Sequence, residues 1–475
     1  MEEAKYLLKS GATQEALKRL IDILPDFKDK EDEWKIHELI GAAFHDLGDA
    51  EGAVQSYLYA ATKDKYLRSQ RTHYSNYLFA LHYLSKLTNE ELAAEHFVYN
   101  KLFNEELRMQ NAKLKNSIVN KITIGYIASY FTESSSSRFY EALLTEFNKE
   151  KFMVKCFSLS DEADNFTNLI KNCVDEFIIL DNLSIEEAAW RIAEEGVDIL
   201  FDLSGHTDGG MTLQIMSYKP APIQISGIGW FDTTGLKAID YILTDNYLDP
   251  IGQEKYFTEK LLRLNSAFAF KPIENMTNNY AFHIPHSELV FGSFNNFMKI
   301  TDEYLKCVKK ILNAVENSKF IMQDTTSIPA RKIEMERRLQ KLKMPVERIE
   351  VRLGNDNYLK DYAEIDIMLD TFPYTGGTMT ATALYMGIPV INLYGTRHSS
   401  RFGADILRLA GMSEFIANNV KGYVNLAISL ASNLENLIEI KKTLRERLVK
   451  SKLLDTKRFV AELEIFYKDL IMTND

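Results

Sequence analysis

The stretch Asp370-Thr371-Phe372-Pro373-Tyr374-Thr375-Gly376-Gly377-Thr378-Met379-Thr380-Ala381-Thr382 decides the fold of this chain. The preceding Ile365-Asp366-Ile367-Met368-Leu369 predicts a buried strand, and the following Ala383-Leu384-Tyr385-Met386-Gly387 predicts a helix closed by glycine. A Gly-Gly-Thr turn that opens a helix presents backbone N–H groups and hydroxyls at the positive end of the helix dipole, where a phosphate or diphosphate binds. The alternative is a plain tight turn that needs glycine only for its backbone angles.

Strand and helix patterns alternate on both sides of this stretch. In residues 121–270, strand patterns at 122–127, 152–157 and 197–203 are separated by helical patterns at 138–149 and 186–195. The alternation restarts near 288, with further strand patterns at 289–294, 319–322, 349–351, 365–369 and 390–393. Such alternation predicts two α/β domains with doubly wound parallel sheets, 121–270 and 285–475, joined by a linking segment from 221 to about 270. Ligands bind beyond the carboxyl ends of such strands.

Residues 1–115 predict a helical domain. Glycine is rare there, and apolar residues recur at spacings of three and four. The segment from Trp34 to Lys65 resembles one tetratricopeptide repeat, with Gly41 where two helices approach closely and Tyr57 on the facing helix. A plain helical bundle is the alternative. Either interpretation predicts an interaction surface rather than chemistry.

Composition limits the classes of protein. The chain has 475 residues, 46% hydrophobic and 26% charged, which is typical of a globular protein with more than one domain. A net charge of −11 argues against a nucleic-acid partner, which requires a basic surface. The three cysteines form no Cys-x-x-Cys pair, so neither a zinc site nor a disulfide framework is indicated. No signal peptide or membrane span is recognisable, and we expect a cytoplasmic protein.

Residues that could bind a diphosphate follow two predicted strands of the second α/β domain. Lys299 precedes a helix and would act as a point charge, although a lysine there is commonly a solvated surface residue. Beside Gly376 and Gly377, Thr378 and Thr380 would supply hydroxyl and N–H donors. Asn295 and Asn296 would donate from the opposite wall, or serve only in a turn.

Two histidines also follow predicted strands. His206, in Ser204-Gly205-His206-Thr207, would act as a base or bind an anion, or would be a satisfied histidine at the rim of the sheet. His398 lies with Arg401 in Tyr394-Gly395-Thr396-Arg397-His398-Ser399-Ser400-Arg401. These residues would face phosphate or would pair locally. The chain contains no Asp-x-Asp triplet, which favours a mechanism without a bound metal.

Together these segments resemble the O-linked N-acetylglucosamine transferase / SPINDLY family. The resemblance covers most of the chain. It is carried by Ile124-Gly125-Tyr126, Asp198-Ile199-Leu200-Phe201-Asp202-Leu203-Ser204-Gly205-His206-Thr207, Pro220-Ala221-Pro222-Ile223-Gln224, Thr233-Thr234-Gly235, Lys299, residues 373–380, Met386-Gly387-Ile388-Pro389-Val390 and the His398/Arg401 segment. It implies a tetratricopeptide array fused to a two-domain, GT-B-like, inverting, metal-independent glycosyltransferase. It also implies that Lys299 and Thr378 contact the diphosphate of a nucleotide sugar.

Two positions depart from the family pattern. Ser134 stands where the family has a histidine after the first strand of the catalytic part, and the neighbouring Glu133 is an alternative carboxylate base. Thr382 stands where the family has an acidic residue that binds the ribose hydroxyls. A threonine hydroxyl still hydrogen-bonds ribose, but without the strength that charge gives a carboxylate.

The resulting hypothesis is a protein O-glycosyltransferase that moves a sugar from a UDP- or GDP-sugar to Ser or Thr of a polypeptide bound along the helical array. It needs no prosthetic group, and His206, Glu133 and Lys299 are its candidate catalytic residues. The residues that would hold the nucleotide are Asn296, Lys299, Gly376, Gly377, Thr378, Thr380, Thr382, His398 and Arg401. The alternative is a catalytically impaired partner or chaperone subunit that binds a substrate protein or an active glycosyltransferase. A homo-oligomer is also open.

Overall fold

The computed structural model describes residues 1–104, 121–273 and 288–474. Residues 105–115, 285–287 and 475 of the predicted domains lie outside the described residues. The helices are α1 Glu2–Lys9, α2 Thr13–Phe27, α3 Glu33–Leu47, α4 Ala50–Lys63, α5 Leu67–Leu81, α6 Asn89–Tyr99, α7 Ser137–Thr145, α8 Asn165–Cys173, α9 Ile185–Glu194, α10 Met211–Met216, α11 Asp302–Ala314, α12 Pro329–Lys341, α13 Tyr358–Asp361, α14 Thr378–Tyr385, α15 His398–Leu409, α16 Val420–Ala431, α17 Leu434–Val449 and α18 Thr456–Asn474.

The strands are β1 Ile122–Ala128, β2 Phe152–Ser158, β3 Glu176–Ile179, β4 Ile199–Asp202, β5 Ile223–Ser226, β6 Tyr241–Asp245, β7 Lys260–Leu264, β8 Leu289–Phe294, β9 Ser318–Gln323, β10 Ile349–Arg352, β11 Ile367–Leu369, β12 Val390–Leu393 and β13 Ile416–Ala417. Among the described residues, no helix combines the length and apolar character needed to cross a bilayer.

The chain divides into two compact units. Unit 1 consists of Met1–Tyr66, Ala80–Leu87 and Pro272–Ser451, and unit 2 consists of Leu67–Phe79, Thr88–Lys271 and Lys452–Asp475. The first four helices therefore belong to the same unit as the second parallel sheet. The domain boundaries at 1–115, 121–270 and 285–475 stay predictions.

Unit 2 is built on a parallel sheet with the strand order β3-β2-β1-β4-β5-β6-β7. Its core contains the inward-facing residues of β1, among them Ile124 and Tyr126, and residues of the C-terminal helix α18, among them Leu463 and Tyr467. The hydroxyls of Tyr126 and Tyr467 lie 3.1 Å apart within this core. The last helix of the chain thus completes the apolar cover of the first sheet.

Unit 1 is built on a second parallel sheet, with the order β10-β9-β8-β11-β12-β13. Its helices α3 and α4 form the predicted pair, and a Cβ on Gly41 would come within 2.7 Å of the Tyr57 ring. Only glycine permits that approach. Gly48 then ends α3 in the left-handed conformation, and Asp49 caps α4 through Gly52 N–H. The helical pair is confirmed, and its assignment as a tetratricopeptide repeat stays a prediction.

The predicted fold class is confirmed, with an N-terminal helical array and two doubly wound parallel sheets. The interpretation of 221–270 as a linking segment is wrong, because β5, β6 and β7 lie there and complete the first sheet. These strands have four or five residues, and the structure places no α-helix between β5 and β7. The alternation that reveals a parallel sheet is therefore missing from this part of the sequence.

Candidate functional site

The candidate site of unit 1 lies between β8 and β11, where the order in which the chain adds strands to the sheet changes direction. Strands β8 and β11 are neighbours, and the chain proceeds from them towards opposite edges of the sheet. The loop after β8 carries 295–299, and the loop after β11 carries 370–377. Because both strands are parallel, both loops leave the same end of the sheet. This is the switch point at which doubly wound sheets bind ligands.

Lys299 joins the two loops. Its Nζ donates a hydrogen bond of 2.9 Å to the Thr375 carbonyl and lies 3.9 Å from the centre of the Tyr374 ring. The side chain is partly buried. Burial lowers the pKa of Lys299 to about 8, although the nearby Asp370 carboxylate opposes part of that shift. The structure thus brings the predicted lysine to the predicted glycine loop, with an ammonium group whose pKa burial lowers.

Asp370 stabilises the loop after β11 through hydrogen bonds to its buried carboxylate. It is fully buried, and its carboxylate accepts hydrogen bonds from Gly376 N–H at 2.7 Å, Asn392 Nδ2 at 2.8 Å and Thr380 Oγ1 at 3.0 Å. Its own neighbour Thr371 N–H donates a fourth bond at 2.8 Å. Burial raises the pKa of Asp370, and these donors and Lys299 oppose that rise. The carboxylate fixes where the glycine turn begins.

Gly376 has no room for a side chain. A Cβ there would lie 2.5 Å from Thr380 Oγ1, 2.9 Å from Asp370 Oδ1 and 3.3 Å from Asn295 Oδ1. Gly377 follows as the N-cap of α14, and Thr378 is its first residue. The eight-residue helix therefore starts at the switch point and directs its N-terminal amides towards the same end of the sheet as Lys299.

The threonines of α14 differ in their surroundings. Thr378 is 8% exposed, whereas Thr380 and Thr382 are fully buried. The Thr380 hydroxyl donates a hydrogen bond to the Asp370 carboxylate, so it stabilises the loop after β11. Among the described residues, none hydrogen-bonds to Thr382 Oγ1. The predicted roles of these residues in ligand binding stay predictions, and the contacts favour Thr378 over Thr380 for direct contact with a ligand.

The two asparagines after β8 are held differently. Asn296 Oδ1 accepts hydrogen bonds from Met298 N–H at 2.9 Å and Arg331 Nη1 at 2.8 Å, which leaves its Nδ2 to donate. Asn295 is buried, and its Nδ2 has no hydrogen-bond partner among the described residues. Both amides thus stand at the switch point with donor capacity.

His398 and Arg401 lie in the first turn of α15, the helix that follows β12. Both are buried, and Arg401 Nε donates to the Gly395 carbonyl at 3.0 Å. In the same turn, the Ser399 carbonyl lies 3.2 Å from Thr375 Oγ1 and 3.2 Å from Thr375 N. The α15 turn therefore packs against the glycine loop, while the Arg401 guanidinium also makes a local contact.

His206, in unit 2, is fully buried, with both ring nitrogens hydrogen-bonded. Nε2 lies 2.9 Å from the Thr234 carbonyl and therefore carries the proton, and Nδ1 lies 2.9 Å from Ser75 Oγ. Burial, with His96 nearby, holds the pKa of His206 well below its usual value. This arrangement supports the interpretation of a satisfied histidine rather than a catalytic base, which needs an accessible nitrogen.

Glu133 and Ser134 serve the start of α7. Glu133 Oε1 accepts from Arg138 Nη2 at 2.5 Å in an ion pair, and half of the Glu133 side chain is exposed. Ser134 exchanges hydrogen bonds with Ser137, the first residue of α7. The structure thus gives each residue a local partner. The base role of Glu133 stays a prediction.

The sequence interpretation missed Asp370 and Arg331 as members of the site. The sequence prediction quotes Asp370 only as the first residue of the stretch 370–382. Its position, an acidic residue directly after a predicted buried strand, already indicates a place at the edge of the sheet where ligands bind. Arg331 lies in a polar helix 32 residues after Lys299, and nothing in the local pattern distinguishes it from a surface arginine.

Two doubly wound parallel sheets, one of them with polar loops at its switch point, define the α/β class of protein in which ligands bind at such a point. Within that class, the sequence profile of glycosyl transferase family 41 matches residues 67–280 and 271–463. The chain belongs to this family.

Two curated relatives illustrate the similarity. A probable UDP-N-acetylglucosamine–peptide N-acetylglucosaminyltransferase SPINDLY from Solanum lycopersicum is 33% identical over 407 residues, which are 83% of this chain and 44% of the relative. The corresponding SEC protein from Arabidopsis thaliana is 26% identical over 363 residues, which are 73% of this chain and 37% of the relative. The chain therefore spans less than half the length of these relatives.

The fold also matches a solved structure. An O-GlcNAc transferase mutant from Thermobaculum terrenum superposes with a TM-score of 0.90, covering 99% of this chain and 90% of the other at 24% identity. At that identity the match establishes the fold alone, including the helical array and both sheets.

Proposed function

We propose that this protein transfers a sugar from a nucleotide-sugar donor to a Ser or Thr hydroxyl of a polypeptide, with inversion and without a metal. One observation carries the proposal: the Lys299 ammonium is held against the glycine loop by the Thr375 carbonyl, at the start of α14. A cation and a helix N-terminus at one switch point suit a diphosphate leaving group. Curated relatives are named as UDP-N-acetylglucosamine–peptide transferases, which supports a UDP-linked donor and a peptide acceptor.

The roles of the site residues follow from their contacts. Lys299 and the amides of Gly377 and Thr378 would neutralise the charge that develops on the diphosphate as the glycosidic bond breaks. Asn296 Nδ2 would donate from the other loop. His398 and Arg401 would complete the pocket from α15. Asp370 and Thr380 would keep the loop in place without touching the ligand.

The test is binding followed by transfer. Isothermal titration with UDP and GDP should give a dissociation constant for one of them, and Lys299→Met should weaken that binding by about tenfold or more. Radiolabelled UDP-N-acetylglucosamine with a Ser-rich protein acceptor should then give protein-bound label. Lys441→Gln is a matched control, because Lys441 is buried in the same unit but pairs with Asp366, which precedes β11 at the opposite end of the strand.

The alternative of an impaired partner or chaperone subunit predicts a different result. Such a protein would bind neither nucleotide and would show no transfer, yet would form a stable complex with a substrate protein or an active glycosyltransferase. Binding of UDP or GDP that Lys299→Met leaves unchanged would reject the proposed site.

A further inference from the structure

Arg331, near the start of α12, is a buried cation whose guanidinium contacts several segments of unit 1. Its side chain is 1% exposed and pairs with the fully buried Asp324 at 3.2 Å. Its Nη1 donates to Asn296 Oδ1 at 2.8 Å, its Nε to the Asp46 carbonyl at 2.9 Å and its Nη2 to the His45 carbonyl at 3.0 Å. One guanidinium therefore joins three parts of unit 1 that are far apart in sequence.

The first of these parts is the end of helix α3. The carbonyl groups of His45 and Asp46 belong to its last turn, where carbonyls lack the usual donor four residues further along, although Gly48 N–H donates to the His45 carbonyl at 3.1 Å. They also form the negative end of the helix dipole, so a buried guanidinium there is favourable. α12 thus caps α3 with Arg331, and the α3–α4 pair is attached to the second sheet through a charge-assisted contact.

The second part is the turn that leads to Lys299. Asn296 Oδ1 uses its two lone pairs for Met298 N–H and Arg331 Nη1, so the amide has one orientation. The Asp324 carboxylate, paired with Arg331, accepts Phe297 N–H at 3.1 Å. The ion pair therefore holds this turn at two successive residues, and Lys299 is the last residue of the same turn.

A second contact connects helical-array residues with the same loops. The ring of Tyr83 lies 5.4 Å from that of Tyr374, the ring over which Lys299 Nζ is placed. In the loop after β12, Arg397 Nη2 donates to the Leu84 carbonyl at 2.8 Å. Residues of the array thus contact the loops after β11 and β12 directly, and are connected to the loop after β8 through Arg331.

We propose that Arg331 is a positioning residue for the donor site, and that through it the α3–α4 pair is a structural part of that site. The guanidinium fixes Asn296 and, with Asp324, the turn that carries Lys299. Lysine cannot replace it, because one ammonium group cannot reproduce the planar set of donors that meets two carbonyls, an amide oxygen and a carboxylate together. The proposal rests on the proposed function only in taking this turn as part of a nucleotide site.

The test uses the full chain with Arg331→Gln, Arg331→Lys and the control Lys441→Gln, which removes a different buried ion pair of the same unit, Lys441 with Asp366. Hydrogen exchange should show faster exchange of the amides of 297–300 in both Arg331 variants and no change there in the control. UDP affinity should fall by about tenfold in Arg331→Gln, since a charge-assisted hydrogen bond and the orientation it fixes are lost.

A double-mutant cycle shows whether Arg331 acts through Asn296. In an Asn296→Ala background, Arg331→Gln should weaken UDP binding by clearly less than in the wild type. Equal losses in both backgrounds would overturn action through Asn296. Unchanged exchange of 297–300, or faster exchange with unchanged UDP affinity, would overturn the positioning role itself. A wild-type protein that binds neither UDP nor GDP would overturn the proposed function instead, while the exchange result would still decide whether Arg331 holds the turn.

Discussion

Asp202 and Asp370 occupy equivalent positions in the two sheets. Asp202 is the last residue of β4, which pairs with β1, and Asp370 directly follows β11, which pairs with β8. Both side chains are fully buried. Asp202 accepts hydrogen bonds from Gly205 N–H, Thr212 Oγ1 and Ser226 Oγ, much as Asp370 accepts them from Gly376 N–H, Thr380 Oγ1 and Asn392 Nδ2. In both sheets a buried carboxylate joins the loop, the next helix and the next strand.

The two loops differ in what packs against their glycine residues. In unit 2, a Cβ on Gly209 would meet Thr72 at 2.5 Å, and one on Gly210 would meet Ser75 Oγ at 2.2 Å. Helix α5 therefore packs directly on that turn. In unit 1, the turn instead lies beside Lys299. The same loop design thus supports helix packing in one sheet and the candidate ligand site in the other.

Asp370→Asn should destabilise the protein and weaken nucleotide binding. An asparagine side chain has only one acceptor oxygen and would point its NH2 at donors, at a cost of about 2–3 kcal/mol of unfolding free energy. Thermal unfolding and UDP titration measure the two effects. Asp202→Asn is the matched control: it should lower the melting temperature similarly while folded protein keeps its UDP affinity. Equal loss of affinity in both variants would contradict the assignment of the site to unit 1.

Gly376→Ala should disrupt the loop after β11. The new methyl group would overlap Thr380 Oγ1 and Asp370 Oδ1, and the resulting strain should cost about 1–3 kcal/mol. Thermal unfolding and UDP titration again serve as readouts. Gly422→Ala in α16 is the control, because its Cβ would meet nothing closer than 3.5 Å and alanine favours helix by up to about 1 kcal/mol. A Gly376→Ala protein with wild-type stability would show that the loop is not packed as described.

Nucleotide affinity should decrease as pH rises through about 8. Burial lowers the pKa of Lys299 to about 8, so the free protein loses the ammonium charge above that pH. A bound diphosphate favours the charged form and raises the pKa, so binding near pH 8.5 should take up a proton. Titration calorimetry in buffers of different ionisation enthalpy measures that uptake. In Lys299→Met, the uptake should vanish; uptake that persists would identify another titrating group.

His206→Gln should affect stability more than chemistry. The substitution disturbs buried hydrogen bonds to Thr234 and Ser75 and should cost about 1–3 kcal/mol. Burial holds the pKa of His206 well below its usual value. The pH–rate profiles of the wild type and the variant should therefore have the same shape. A variant of normal melting temperature whose kcat falls by about a hundredfold or more would instead identify His206 as the base.

The sequence by itself determined the fold class and the two loops of the candidate site. Hydrophobic periodicity revealed most strands, since it is a local property of five or six residues. Glycine pairs and a lysine after predicted strands marked the switch point, because parallel strands end at one edge whatever their partners. Strands β5 to β7 escaped this reasoning, because the helices that normally reveal a parallel sheet are absent between them.

Only the tertiary structure decided which polar side chains are used in hydrogen bonds that hold the protein together and which stand at the candidate site. Thr380 faces Asp370, His206 faces Ser75 from 131 residues away, and Arg331 meets Asp46 from 285 residues away. The physical reason is that burial and hydrogen-bond partners arise from residues far apart in the chain. A polar residue's type and neighbours in sequence therefore leave its role open until those partners are in place.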